Sequence, residues 1–254
     1  VTLTQVFPDQ SERTGLAGAE LTRSVDGLDQ ESRDWLLRRY APASDRYLRV
    51  NMIASLNGSA TGPDGTSDSL SSRLDRRILG VIRELSNVVL VGAGSVRVEG
   101  YVVPARASLA VVTSSGDLSG HRLEDSRRDQ PVFILCPRSA QDRVEATVGL
   151  SRATIVPLDD EDGDLAPTVI VAALHELGLT RIVCEGGPVL AGRLFAADLV
   201  DEFCLSTSPR VVLGGRALLE SARAGSTEFS LRQLLLDGTG ATYARWERPR
   251  PASS

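Results

Sequence analysis

Val88-Val-Leu-Val91 is apolar at four consecutive positions and runs directly into Gly92-Ala-Gly94. A strand without a polar face has to be covered on both sides, as in the middle of a sheet flanked by helices. Leu109–Thr113, Val132–Cys136, Ala153–Val156 and Ile182–Cys184 read as further short buried strands. Tyr47–Ser55 alternates Leu48, Val50 and Met52 with Arg49, Asn51 and Ile53, again a strand pattern. Between these runs lie helical periods. Leu74, Ile78, Val81, Ile82 and Leu85 form one stripe, entered through Ser72-Arg-Leu-Asp75, which resembles a capping box with Asp in place of Glu. Pro167 to Leu177 reads as a helix closed by Gly178. Beyond Asp201, Glu202–Thr207, Arg210–Leu213 and Ala241–Trp246 read as strands, separated by Pro209, Gly214-Gly215 and a long segment containing Gly and Ser. The fold class expected is α/β, one mixed sheet flanked by helices, with terminal antiparallel strands.

At 254 residues the chain is long enough for one large domain with a well-buried core. Residues 1–45 are polar and irregular apart from a short helix within Gly27–Tyr40, and are expected to be an arm packing on a main domain of residues 46–254. A net charge of −5 argues against a dedicated nucleic-acid binder. Arg73, Arg76, Arg77 and Arg83 cluster locally and read as a solvated helix face. No apolar run is long enough to span a bilayer, and the N-terminus lacks a signal-peptide core. The three cysteines, Cys136, Cys184 and Cys204, sit in strand-like runs without C-x-x-C spacing, as small buried hydrophobes of a reduced, cytoplasmic protein. His121 and His175 belong to no metal-ligand pattern, and no G-x-S-x-G elbow occurs. Metal hydrolysis and histidine triads are therefore disfavoured, and the chemistry is expected to be that of an organic cofactor.

Two glycine turns follow buried strands. Glu185-Gly-Gly-Pro-Val-Leu-Ala-Gly192 joins a strand to a helix that starts at Pro188. Such a turn lets backbone approach a ligand and aims first-turn N–H groups at an anion, although an unliganded turn has the same signature. Gly92-Ala-Gly94-Ser-Val-Arg97 falls short of the dinucleotide fingerprint, because Arg97 stands where the third glycine belongs. Ser95 and the glycine backbone remain able to meet a ribose or phosphate.

Ala54-Ser-Leu-Asn-Gly58, Gly65-Thr-Ser67, Val91-Gly-Ala-Gly-Ser-Val96, Glu185–Gly192, Leu199-Val-Asp-Glu202 and Leu213-Gly-Gly215 occur in that order. Together they resemble the C-terminal reductase domain of the bifunctional riboflavin-biosynthesis deaminase/reductase, over roughly residues 46 to 247, without the deaminase half. The resemblance implies a dihydrofolate-reductase-like fold, use of NADPH and a homodimer. It further implies NADPH contacts at Ile53, Ala54, Ser69, Ser95, Glu99, Ser114 and Gly186 to Gly192 (Gly187, Pro188, Val189, Leu190 and Ala191 between them), with Gly92 and Gly94 in the first turn. Substrate contacts are implied at Ser67, Arg83, Val103, Arg106 and Glu185. Two arginines suit a ribose-phosphate tail; Arg83 read without the resemblance is an ordinary solvated helix arginine, and the alternative for Glu185 is a carboxylate capping the next turn.

The chain departs from the family pattern at Asn57, where a carboxylate is usual, and at Ser69, where a tryptophan is common; Ser95 and Glu99 are milder replacements. The expected activity is NADPH-dependent reduction of the ribosyl side chain of 5-amino-6-(5-phosphoribosylamino)uracil to its ribityl form, with Glu185 orienting the substrate and handling a proton. The alternatives are an NADPH-dependent reductase of dihydrofolate or another pterin, and a non-catalytic NADPH-binding regulatory protein.

Overall fold

The structure is a computed structural model that describes residues 2–7, 23–26, 29–123, 130–150 and 152–249. Its strands are β1 (Thr2–Phe7), β2 (Arg23–Asp26), β3 (Tyr47–Ser55), β4 (Val88–Gly92), β5 (Ser108–Val112), β6 (Val132–Pro137), β7 (Ala153–Leu158), β8 (Arg181–Cys184), β9 (Glu202–Ser208), β10 (Ser230–Asp237) and β11 (Thr242–Glu247). The helices are α1 (Gln30–Arg39), α2 (Arg73–Glu84), α3 (Ala93–Val98), α4 (Gln141–Thr147), α5 (Pro167–Glu176) and α6 (Pro188–Ala196).

All eleven strands form one sheet, ordered β2-β1-β10-β11-β9-β3-β8-β4-β5-β6-β7. From β9 to β7 neighbouring strands are parallel, and from β2 to β9 they are antiparallel. The mixed sheet with antiparallel terminal strands is the architecture expected from the sequence. Val88 and Leu90 point into one core layer, under α5 and α6. Val89 and Val91 point into the other, with Ile78, Ile82, Trp35 and Leu36. This period of two explains why β4 is apolar throughout.

Two expectations are corrected. Residues 2–7 and 23–26 are strands at the edge of the sheet and not irregular chain. Arg210–Leu213 is not a strand: Val211 and Leu213 are 65% and 89% exposed, and only Val212 packs inward. The missing strand is β10, which pairs β1 on one side and β11 on the other.

The chain passes from β3 through α2 to β4, yet these two strands are not neighbours, because β8 lies between them. A crevice at the carboxyl ends of parallel strands forms where the strand order changes direction, and here that is the β3–β8–β4 region. α2 starts at Ser72, whose hydroxyl accepts the N–H of Asp75 at 3.0 Å. α5 is closed by Gly178, whose φ of +77° favours glycine and turns the following Leu179 N–H back to the carbonyl of Leu174 at 2.9 Å.

Candidate functional site

At the carboxyl ends of β3, β8 and β4 lies a cleft of about 820 Å³, within the roughly 300–1,000 Å³ typical of small-molecule sites. The two glycine turns form its wall side by side. Gly92 N–H donates to the carbonyl of Gly186 at 2.9 Å, and Glu185 N–H to that of Leu90 at 3.0 Å. A Cβ at Gly187 would sit 3.1 Å from Ser95 Oγ, a tight approach that the serine would have to yield to. Gly186 has a φ of +96°, and its peptide bond to Gly187 is cis. Gly187 is the N-cap of α6 and gives no side-chain partner to the first-turn N–H groups, an arrangement suited to a phosphate. A Cβ at Gly94 would meet nothing within 4 Å, so this backbone is open to the cleft.

Beside this cradle, at the start of the second turn, is an ion pair between the two residues expected to meet substrate. Arg83 Nε and Nη2 donate to Glu185 Oε1 and Oε2 at 2.7 and 2.6 Å, with the side chains 25% and 5% exposed. Tyr101 Oη donates to Glu185 Oε2 at 3.2 Å, and the Arg83 guanidinium lies 5.8 Å from the Tyr101 ring centre. Burial alone would lower the Arg83 pKa, but the Glu185 carboxylate more than reverses this, so the guanidinium stays charged. Burial, with Glu185 adding to it, raises the Tyr101 phenol far above its ordinary range and keeps it a donor. The neighbouring Cys184 thiol is pushed up to about 12, chiefly by burial, and is a packing group without thiolate character.

Of the residues singled out in the sequence, Ile53, Ser67, Arg83, Gly94, Ser95, Glu99, Glu185, Gly187 and Pro188 line the cleft. Ser67 and Glu99 meet directly, the Ser67 N–H donating to Glu99 Oε1 at 3.2 Å. Gly92 and Gly186 support the wall from behind through the bond already given.

The others stand elsewhere. Ala54, Val103, Leu190 and Ala191 are buried in the core. Ser114 is exposed beyond the end of β5, and Val189 is 48% exposed on α6. Ser69 Oγ donates to Asp64 Oδ1 at 2.6 Å, closing the loop after β3 on itself. Arg106 is exposed and pairs with Glu84, the residue after Arg83. Gly192 lies beneath the backbone of Glu220, where a Cβ would come within 2.1 Å of the carbonyl oxygen. Asn57, the first departure from the family pattern, donates to Val212 O at 2.8 Å and accepts Val212 N–H at 3.0 Å. A carboxylate would lose the donating half of that pair.

Sequence reasoning missed Asp75, Arg76, Tyr101, Arg122 and Arg216, which also line the cleft. Arg76 is not simply solvated: it pairs with Asp68 at 2.7 Å. Tyr101 carried a signal, as an aromatic residue directly after Gly100 in a chain only 4% aromatic. Among the described residues no group of three or more His, Cys, Asp and Glu is placed to hold a metal ion, and no helix is long and apolar enough to cross a membrane.

Two named relatives bear on this cleft, the 2,5-diamino-6-ribosylamino-4(3H)-pyrimidinone 5′-phosphate reductases of Archaeoglobus fulgidus and Methanothermobacter thermautotrophicus. They are 25% and 23% identical over 192 residues, covering 67% of this chain and 83% and 80% of theirs. In fold, the chain is similar to a pyrimidine reductase-like protein of Corynebacterium diphtheriae, with a TM-score of 0.68 and 19% identity over 86% of this chain and 99% of that one. It is also similar to a deaminase/5-amino-6-(5-phosphoribosylamino)uracil reductase of Thermotoga maritima, with a TM-score of 0.60 and 15% identity over 84% of this chain and 58% of that one. The RibD C-terminal domain model matches residues 46–243, the stretch that builds both glycine turns and the Arg83–Glu185 pair, and the chain belongs to that family.

Proposed function

We propose that this chain is the pyrimidine reductase of a riboflavin pathway, reducing the ribosylamino side chain of a phosphoribosylaminopyrimidine to the ribitylamino form. The observation that carries the reading is one cleft lined both by two stitched glycine turns and by the Arg83–Glu185 pair. The cofactor is NADPH, which when bound supplies the hydride. Gly94, Ser95, Gly187 and Pro188 hold its phosphates, with Ile53 and Glu99 beside them. The family resemblance extends these contacts to Ala54, Ser69, Gly92, Ser114, Gly186 and Val189 to Gly192.

Glu185, fixed in place by Arg83 and Tyr101, accepts hydrogen bonds from the substrate and orients it. The family resemblance assigns the substrate phosphate to Arg83 and Arg106 and further substrate contacts to Ser67 and Val103; of these four, Ser67 and Arg83 line the cleft. The substrate is 5-amino-6-(5-phosphoribosylamino)uracil or the 2-amino pyrimidinone named for the archaeal relatives; the two differ at one ring carbon and carry the same ribosylamine.

Residues 46–254 form the reductase domain in this reading and residues 1–45 an arm, of which strands β1 and β2 lie at the edge of the sheet. The protein works as a cytoplasmic homodimer. Three unpaired cysteines support a reducing compartment. Leu56, Val211 and Leu213, exposed at 62%, 65% and 89%, support a partner surface.

The test is NADPH oxidation by the purified protein with each pyrimidine and with dihydrofolate. Turnover of a phosphoribosylaminopyrimidine is expected, with Arg106→Ala weakening its binding. Turnover of dihydrofolate alone, or saturable NADPH binding without turnover of any of the three, overturns the reading.

A further inference from the structure

Behind the cleft lies a second cavity of about 200 Å³, and Asp75 lines both. The rear cavity is walled largely by hydroxyls, among them Ser71, Ser72, Ser206, Thr239 and Tyr243. Its rim, Pro209, Arg210 and Thr239, is exposed. Asp75 is in the first turn of α2 and gives its N–H to the capping Ser72. A capping residue of this kind ordinarily returns its carboxylate to the cap. Here the carboxylate accepts instead from Ser71 Oγ at 2.7 Å, and Ser206 of β9 lines the same cavity beside it.

The other acidic groups of the cleft are held by cationic, phenolic, hydroxyl or backbone N–H donors. Glu185 accepts from Arg83 at both oxygens and from Tyr101. Asp68 faces Arg76, Asp64 accepts from Thr66 and Ser69, and Glu99 accepts from the Ser67 N–H. The short contacts of Asp75 are neutral hydroxyls. The charged groups around it are Arg76 on its own helix and Glu185 at the end of β8, with the Tyr243 phenol of β11 behind. Burial holds the Asp75 pKa above its ordinary value. The Ser206 and Ser71 hydroxyls and Arg76 oppose that shift, and Glu185 adds to it.

This inference rests on the function proposed above. A cyclic ribosylamine has no reducible double bond at C1′ until its ring opens. We propose that Asp75 is the acid that opens it: the carboxylic proton passes to the ring oxygen O4′ as the C1′–O4′ bond breaks. The bonding pair stays on that oxygen as a new hydroxyl, and the lone pair of the exocyclic nitrogen forms the C1′=N bond. Asp75 is left as a carboxylate beside an iminium carbon. Reduction at C1′ then gives a neutral secondary amine, and Asp75 recovers one proton from water through the hydroxyl-walled cavity. One proton is consumed per turnover, as the overall reduction requires.

The test is Asp75→Asn, with Asp75→Glu as the conservative rescue. With NADPH and a phosphoribosylaminopyrimidine, Asp75→Asn is expected to lower kcat by about 10²- to 10⁴-fold while leaving KM for NADPH within about twofold of wild type, on the same scale. It should also lose the fall in kcat that wild type shows as pH rises and the acid ionises. Without nucleotide, the wild type should speed exchange between the substrate anomers, read by NMR, and Asp75→Asn should not. Because the folded protein favours the protonated acid, Asp75→Asn should unfold at a higher temperature than wild type at pH 8, with the gap closing toward pH 4. An active wild type with an equally active Asp75→Asn overturns this inference alone. A wild type inactive on both pyrimidines overturns the function reading, and this inference with it.

Discussion

Arg83 spends two of its five N–H donors on Glu185, in the parallel fork that only a guanidinium can offer a carboxylate. Lysine would keep the charge and lose the fork, freeing Glu185 to turn away from the substrate. Arg83→Lys is expected to cost about tenfold or more in kcat/KM for the pyrimidine, equivalent to about 1.4 kcal/mol. It should change the NADPH dissociation constant by less than about twofold, on the same scale; steady-state kinetics with nucleotide titration checks both. In the sequence Arg83 was one of four clustered helix arginines, and Glu185 had a turn cap as its alternative role. Their pairing is unreadable there because 102 residues separate them. Asp75 was legible only as a helix-entry residue, since Ser206 and Glu185, which give it its environment, arrive from β9 and β8.

At the scale of elements, the glycine turns were the most legible part of the site, because their composition answers a local backbone need. α6 shows where such reading stops. Its Gly192 is explained by the chain segment laid across it, with Glu220 N–H bonded to Pro188 O at 3.1 Å. A Cβ there would fall 2.1 Å from one backbone atom and 2.7 Å from another, so the segment itself must shift. Gly192→Ala is expected to cost about 1–3 kcal/mol in urea unfolding and to displace Arg216, which reaches the cleft from the same segment. Arg210–Leu213 and β10 were misread for opposite reasons. The first has β-branched residues without a partner strand. The second, Ser-Leu-Arg-Gln-Leu-Leu-Leu-Asp, has few strand-forming residues and is extended because β1 and β11 flank it.

At the scale of the whole molecule, one buried carboxylate joins the two halves of the sheet to the first helix. Glu202 on β9 accepts from Arg49 of β3 and from Arg245 of β11, with Tyr47 donating to it at 2.8 Å. Both arginines also bind carbonyls at the end of α1, those of Tyr40 and Arg39, where positive charge is favoured. Burial alone would raise the Glu202 pKa, but the two arginines hold it far below the carboxylate range. Its stabilisation is therefore complete above about pH 4.5, the unfolded value, and is lost as pH falls below that toward the lower folded value. Glu202→Gln, which leaves two buried guanidiniums without their anion, is expected to cost about 3–5 kcal/mol at pH 7. Urea unfolding at pH 7 and pH 3 should show the gap to wild type narrowing in acid. The position of β8 also sets a timetable. β3 is complete by residue 55, yet both of its neighbours, β8 and β9, lie beyond residue 180. On the ribosome, the central strand waits with two open edges until more than half of the chain has followed it. Such long-range closure is slow, so the cleft comes into being late, and a chain cut short before β8 has no partial version of it.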